Sequence, residues 1–320
     1  MKRTFFRLTI ALLTLVAGVT ITRVCRTTYQ FLFESGATEV GSQSAFVVSV
    51  PSTTTQPITT HPPDDETDPL EAAYLDGDKL SYEGYDVERV TDASDRRSWA
   101  IIKKNGRTIA RLGNAWLGKD STKFGLFSLL QGETKQLVIL QYTGGAHCCW
   151  VYKIYDFRAQ LHLIFDDEKY GGSLGYELHP VDIDGDGRYE LTQAVMTFDY
   201  FHMSHASSVF PTAVFAYNDK SRRYLPANKK FSGYLLQDIE DDLRRLEVAR
   251  ANLDPKAGSP HEKYLSAVLG VFLDRVYAGL EADGWSFFDS EYRLSDRNEI
   301  KGDIERAFRS DPIYRSIYGR

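Results

Sequence analysis

The chain has 320 residues, 42% of them apolar and 26% charged, with a formal net charge of -6. That length and apolar content suffice for one large or two modest folded domains, and the acidic balance excludes charge-driven binding to nucleic acid. Three cysteines are too few for a disulfide scaffold or an all-thiolate zinc site, and a single apolar stretch excludes a multi-span transporter.

Lys2, Arg3 and Arg7 precede an apolar run from Leu8 to Ile21, which Arg23 and Arg26 close. A positive start before a short apolar run marks residues 1–26 as a signal peptide or a signal-anchor, that is, a transmembrane helix. Residues 27–70 read as a linker. Within them, Pro51 to Pro63 is rich in Pro and Thr, and Asp64, Asp65, Glu66 and Asp68 follow. Such a composition buries too little apolar area to offset chain entropy. The two segments together place the rest of the chain outside the cytoplasm, either secreted or anchored at the periplasmic or cell surface.

Residues 71–232 carry the pattern of an antiparallel β-sheet domain. Trp99–Ile102 and Thr108–Leu112 flank Asn105-Gly106, a pair that accepts the positive φ angles of a tight hairpin. Further strands are expected at Phe124–Leu130, Gln136–Tyr142, Cys149–Phe157, Leu161–Phe165, Tyr189–Phe198 and Thr212–Tyr217, with a short one near Tyr224. Short strands joined by short polar turns fit an up-and-down meander, and hence a sandwich or a propeller-like fragment.

From residue 233 to 320 the period becomes helical, so the fold class is α+β. Leu235, Leu236, Ile239, Leu243 and Leu246 recur on one face. A second helix is expected from His261 to Leu280, ended by Asp283-Gly284, with a dense aromatic core of Trp285, Phe287, Phe288 and Tyr292 beyond it. Asp296 and Glu299 have the spacing of a capping box for a third helix with Ile300, Ile304 and Phe308 inward. Asp311-Pro312 opens a last turn.

One stretch carries definite chemistry. In Asp182-Ile-Asp-Gly-Asp-Gly-Arg-Tyr-Glu190, acids fall at positions 1, 3, 5 and 9. Four carboxylates so close repel one another unless a cation sits among them, and hard oxygen ligands suit calcium. Asp182, Asp184, Asp186 and Glu190 would bind through side chains, and Arg188 through its backbone carbonyl. An EF-hand would need an acid at position 12, where Gln193 stands, and an entering helix, which Pro180 disfavours.

The decapeptide Asp182–Leu191 resembles the calcium loop of FG-GAP/VCBS-type repeats, known from integrin-like β-propellers. The resemblance covers ten residues, or about 30 with the adjoining strands, and implies the same four acids as ligands. Leu75-Asp-Gly-Asp-Lys-Leu80 is a degenerate echo of it.

Thr143-Gly-Gly-Ala-His-Cys-Cys-Trp150 is a second unusual stretch. Cys148 and Cys149 can be buried thiols, a vicinal disulfide, or metal ligands with His147, His202 and His205. The surroundings resemble exported bacterial proteins that carry a Gly-Gly-x-His-Cys-Cys turn ahead of one calcium-type loop. No Gly-x-Ser-x-Gly elbow, His-Glu-x-x-His or phosphate loop occurs. The expectation is an exported or membrane-tethered binding module with a structural calcium ion and a protein or glycan partner. An envelope hydrolase or zinc enzyme built on the His/Cys residues is the alternative.

Overall fold

The computed structural model describes residues 77–320 apart from 93, 95–96, 116–120, 145–149 and 254–257. The leader, the linker and the His147-Cys148-Cys149 turn lie outside the described residues. Among these residues, no helix is long and apolar enough to cross a membrane.

Among the described residues, twelve strands form three antiparallel sheets of four, each a meander of consecutive strands. The first holds β1 (Lys79–Tyr82), β2 (Tyr85–Asp92), β3 (Arg97–Lys104) and β4 (Arg107–Ala115). The second holds β5 (Thr122–Phe127), β6 (Gln136–Tyr142), β7 (Trp150–Asp156) and β8 (His162–Asp166). The third holds β9 (Leu174–Val181), β10 (Glu190–Val195), β11 (Thr212–Asn218) and β12 (Arg223–Pro226). The β3–β4 hairpin turns at Asn105 and Gly106, with φ of 51° and 74°, the mirror-image turn that their sequence favours.

Strand alternation explains how the sheets stack. On β6, Leu137 and Ile139 face a core shared with Tyr85, Val87, Ala100 and Ile102 of the first sheet. Val138 and Leu140, one residue out of phase, face a second core with Leu178, Leu191 and Phe215 of the third sheet. The middle sheet is therefore buried on both faces, which is why Leu137–Leu140 of β6 is apolar without alternation. β1, β2 and β9 were not expected from sequence. β9 contains Pro180, which lies opposite Leu191 in the pairing with β10.

Six helices follow: α1 (Ser232–Leu235), α2 (Ile239–Ala251), α3 (Gly258–Tyr277), α4 (Glu281–Glu291), α5 (Arg297–Ser310) and α6 (Pro312–Tyr318). α3 is the hub. Leu265, Val268, Leu269, Val271, Phe272, Leu273 and Val276 are all fully buried, as befits a helix covered on most sides. Phe288, Tyr292, Ile304, Phe308 and Ile313 pack into the same core as the third sheet, so the helices dock on the β region.

Two expected helix ends are corrected. α3 stops at Tyr277, not near Asp283-Gly284, because Gly279 (φ 90°) turns the chain and the Leu280 amide bonds back to the Arg275 carbonyl. Gly284 instead lies within α4, where a Cβ would sit 2.7 Å from Val276 Cγ2, so glycine permits close helix packing. The Asp296 capping box is also not made. Its carboxylate turns to Tyr292 Oη at 3.2 Å and His261 Nε2 at 3.3 Å. At α6 the cap forms: Asp311 accepts from the Ile313 amide at 2.8 Å, with Pro312 next in the chain.

Candidate metal site in the β9–β10 loop

The acidic loop joins two paired strands. Val181 and Glu190 are register partners at the hairpin mouth, so residues 182–189 form its closed end. Gly185 and Gly187 have φ of 72° and 82°, a conformation that side chains disfavour. Asp186 Oδ1 accepts from the Arg188 amide at 2.8 Å, and Asp182 Oδ2 accepts from the Gly187 amide at 3.0 Å. These are the local bonds that short acidic side chains make in turns. The β5–β6 connection holds the loop from outside. The Tyr189 amide donates to the Leu129 carbonyl at 2.9 Å, and the Gln131 side chain donates to the Asp186 carbonyl.

Three of the expected ligands converge. Asp182, Asp184 and Glu190 each offer a carboxylate oxygen, and these oxygens lie within 4.8 Å of one another. Such a set can hold a metal ion, and it is the one such group among the described residues. Two unit charges at that spacing repel by about 1 kcal/mol in water and several times more where water is excluded. Glu190 is buried and accepts from the Ile183 amide at 3.1 Å. Burial first, then the nearby Asp184, raises its pKa above the usual carboxylate range. Asp182 Oδ1 is buried without a hydrogen-bond partner. A hard cation would satisfy that orphaned oxygen, and the all-carboxylate donor set is of the kind calcium takes.

Asp186 lies outside the group of three. Arg188 contributes its guanidinium to Asp219 at 2.9 Å. Sequence reading missed Lys230. Its ammonium lies 2.7 Å from Asp184 Oδ2 and holds that carboxyl below the usual range. Forty-six positions separate the two residues, and no local pattern links them.

His202 and His205, proposed zinc partners of His147, are engaged otherwise. His202 Nε2 lies 2.7 Å from Asp303 Oδ2. His205 Nδ1 lies 2.7 Å from Asp199 Oδ1, and its Nε2 lies 2.9 Å from Tyr176 Oη. The carboxylate only accepts, so the Nδ1–H donates to Asp199. A cavity of about 1180 Å³ opens between α2, α3 and residues 206–210. Arg244, Arg245 and Lys263 line it together with Asp241 and Asp242, and the two arginines pair with those acids three residues earlier.

Protein-family models, curated proteins and solved structures give no match to this chain.

Proposed function

We propose that the chain is an exported or membrane-tethered binding module whose β9–β10 loop holds a structural calcium ion. The observation that carries the reading is the convergence of Asp182, Asp184 and Glu190 around a buried, unpartnered Asp182 oxygen. These three side chains would ligate the ion, with loop carbonyls and Asp186 completing an oxygen shell. The ion's part is to cancel carboxylate repulsion and fix the hairpin end. The partner would be a protein or a glycan. The leader over residues 1–26 and the Pro/Thr linker support an extracytoplasmic setting. The zinc-enzyme reading turns on His147, Cys148 and Cys149, which lie outside the described residues, and the metal-type cluster among the described residues does not include His202 or His205.

Thermal unfolding of the full chain with calcium and with excess chelator tests this reading, beside elemental analysis. An ion that binds only the folded state adds about 2.7 kcal/mol at a hundredfold excess over Kd. The expected result is a calcium-dependent rise in Tm, abolished by Asp184→Asn. No rise and no bound calcium would reduce the loop to an acidic turn.

A further inference from the structure

We infer that Lys230 is a built-in counter-cation that competes with calcium for Asp184 and so sets the affinity of the loop. The inference rests on the calcium reading above and extends it to regulation of the site.

Lys230 is delivered by a rigid turn. Asn228 is buried, accepts from the Val214 amide at 2.9 Å and donates to the Thr212 carbonyl at 2.9 Å. The Ala227 amide donates to the Val214 carbonyl at 2.7 Å, and the Lys230 amide to the Ala227 carbonyl at 2.9 Å. Of the five residues between β12 and α1, Ala227 and Asn228 thus bond to β11, and the Lys230 amide is tied back to Ala227. Its side chain is 59% exposed, and its ammonium rests on Asp184 Oδ2 and lies 4.5 Å from the Phe231 ring centre. The acids near it in the loop are Asp184, Glu190 and Asp186, each of which favours its charged form.

Asp184 is also the most accessible carboxylate of the three that converge. An arriving cation meets it first, and there it meets an ammonium already in place. A divalent ion brings twice the charge and demands several oxygens, so it can displace one lysine that holds a single oxygen. The displaced ammonium returns to water at little cost because the side chain is exposed. With the ion gone, the lysine re-forms its pair and limits repulsion in the loop. The site therefore exchanges one positive charge for another rather than opening and closing.

The neighbouring lysine supplies the control. Lys229 sits on the same turn, but its ammonium lies 4.7 Å from the Tyr318 ring centre and its stem covers Gly279. Replacing either lysine by Gln changes net charge equally, and only one replacement frees Asp184.

Calcium titration calorimetry on the full chain and on its Lys230→Gln and Lys229→Gln forms decides the matter. The expected result is a Kd about tenfold lower for Lys230→Gln, worth about 1.4 kcal/mol, with Lys229→Gln unchanged. Equal affinity in all three chains would overturn the inference and leave the calcium reading standing. Equal tightening in both variants would also overturn it, since bulk charge would then be responsible. Binding by Lys230→Gln alone would support the inference while showing that the unaltered loop is held closed to calcium. No binding by any of the three would overturn the inference and the calcium reading together.

Discussion

Acids flank strand β10 on both sides, Glu190 at its start and Asp199 in the turn beyond its end, and the two places handle them differently. At its start, Glu190 joins Asp182 and Asp184 in a loop whose charge exceeds the protein donors around it. Farther along, the β9–β10 pairing slips between Thr192 and Ala194, and Tyr176 takes a φ of 61° beside the slip. That irregularity aims its phenol at His205, and His205 at Asp199, so each polar group has a named partner. The first arrangement leaves acceptors that call for a cation. The second closes on itself. Convergent polar side chains point to a ligand only where acceptors outnumber donors, and counting donors separates the two sites better than counting acids.

The largest expected effect concerns a third carboxylate that falls between these extremes. Asp167 is buried, its Oδ2 accepts from the Tyr152 amide at 2.8 Å, and its Oδ1 has no partner. Gln193 Oε1, in the same buried region, also lacks one. Burial pushes the Asp167 pKa up to about 7 from 3.8. Between about pH 4 and 7 the folded chain holds a proton that the unfolded chain releases. Stability should therefore fall as pH rises through that window and level off above it. At about 1.4 kcal/mol per tenfold change in acidity, the loss amounts to no more than about 4 kcal/mol by pH 8. Asp167→Asn removes the charge and keeps an acceptor for the Tyr152 amide. It should be more stable than the unaltered chain at pH 8 and nearly equal near pH 4. Denaturant unfolding across that range checks this, and parallel pH slopes in the two chains would sink it.

A smaller effect tests whether the closed network is structural. His205→Ala removes two hydrogen bonds and leaves Asp199 and Tyr176 without a shared partner, which should cost about 2 kcal/mol. Tyr176→Phe, which removes one bond, should cost about 1 kcal/mol. Neither change should alter calcium binding, since His205 lies outside the carboxylate group. A His205→Ala chain with unchanged denaturant midpoint but weakened calcium binding would erase the distinction between the two places.

Much of this architecture is legible before any coordinates. Asn105-Gly106 announces its hairpin because few residue pairs tolerate two positive φ angles. The stripes Ile300–Ile304–Phe308 and Leu265–Leu269–Phe272 announce α5 and α3 because burial follows the helical period. β9 is hidden by Pro180 and by its irregular register, and the end of α3 is hidden because Gly279 and Gly284 look alike in sequence. One turns the chain and the other admits a neighbouring helix, a difference that only packing reveals. The acids of the metal site are readable because they are contiguous. Lys230 is not, because the turn that brings it to Asp184 is set by Asn228 and its bonds to β11.

The finest test lies within the acidic loop itself. Sequence spacing makes Asp182, Asp184, Asp186 and Glu190 equivalent ligands, whereas the structure brings three of them together and gives Asp186 Oδ1 to the Arg188 amide. Asp186→Asn keeps an acceptor oxygen for that amide, so the turn should survive with a change of less than about 0.5 kcal/mol. If its main part is to hold the turn, calcium affinity should fall no more than about threefold, well under 1 kcal/mol. Asp184→Asn and Glu190→Gln remove charge from the convergent oxygens, and each should weaken binding by about tenfold or more. Calcium titrations of the three variants rank these roles directly. Should Asp186→Asn weaken calcium as much as Asp184→Asn, the ion would have to draw the loop tip inward and break the Asp186–Arg188 bond on binding. The loop described here would then be the lysine-neutralised form, and the four-acid set read from the sequence would be the calcium-bound one.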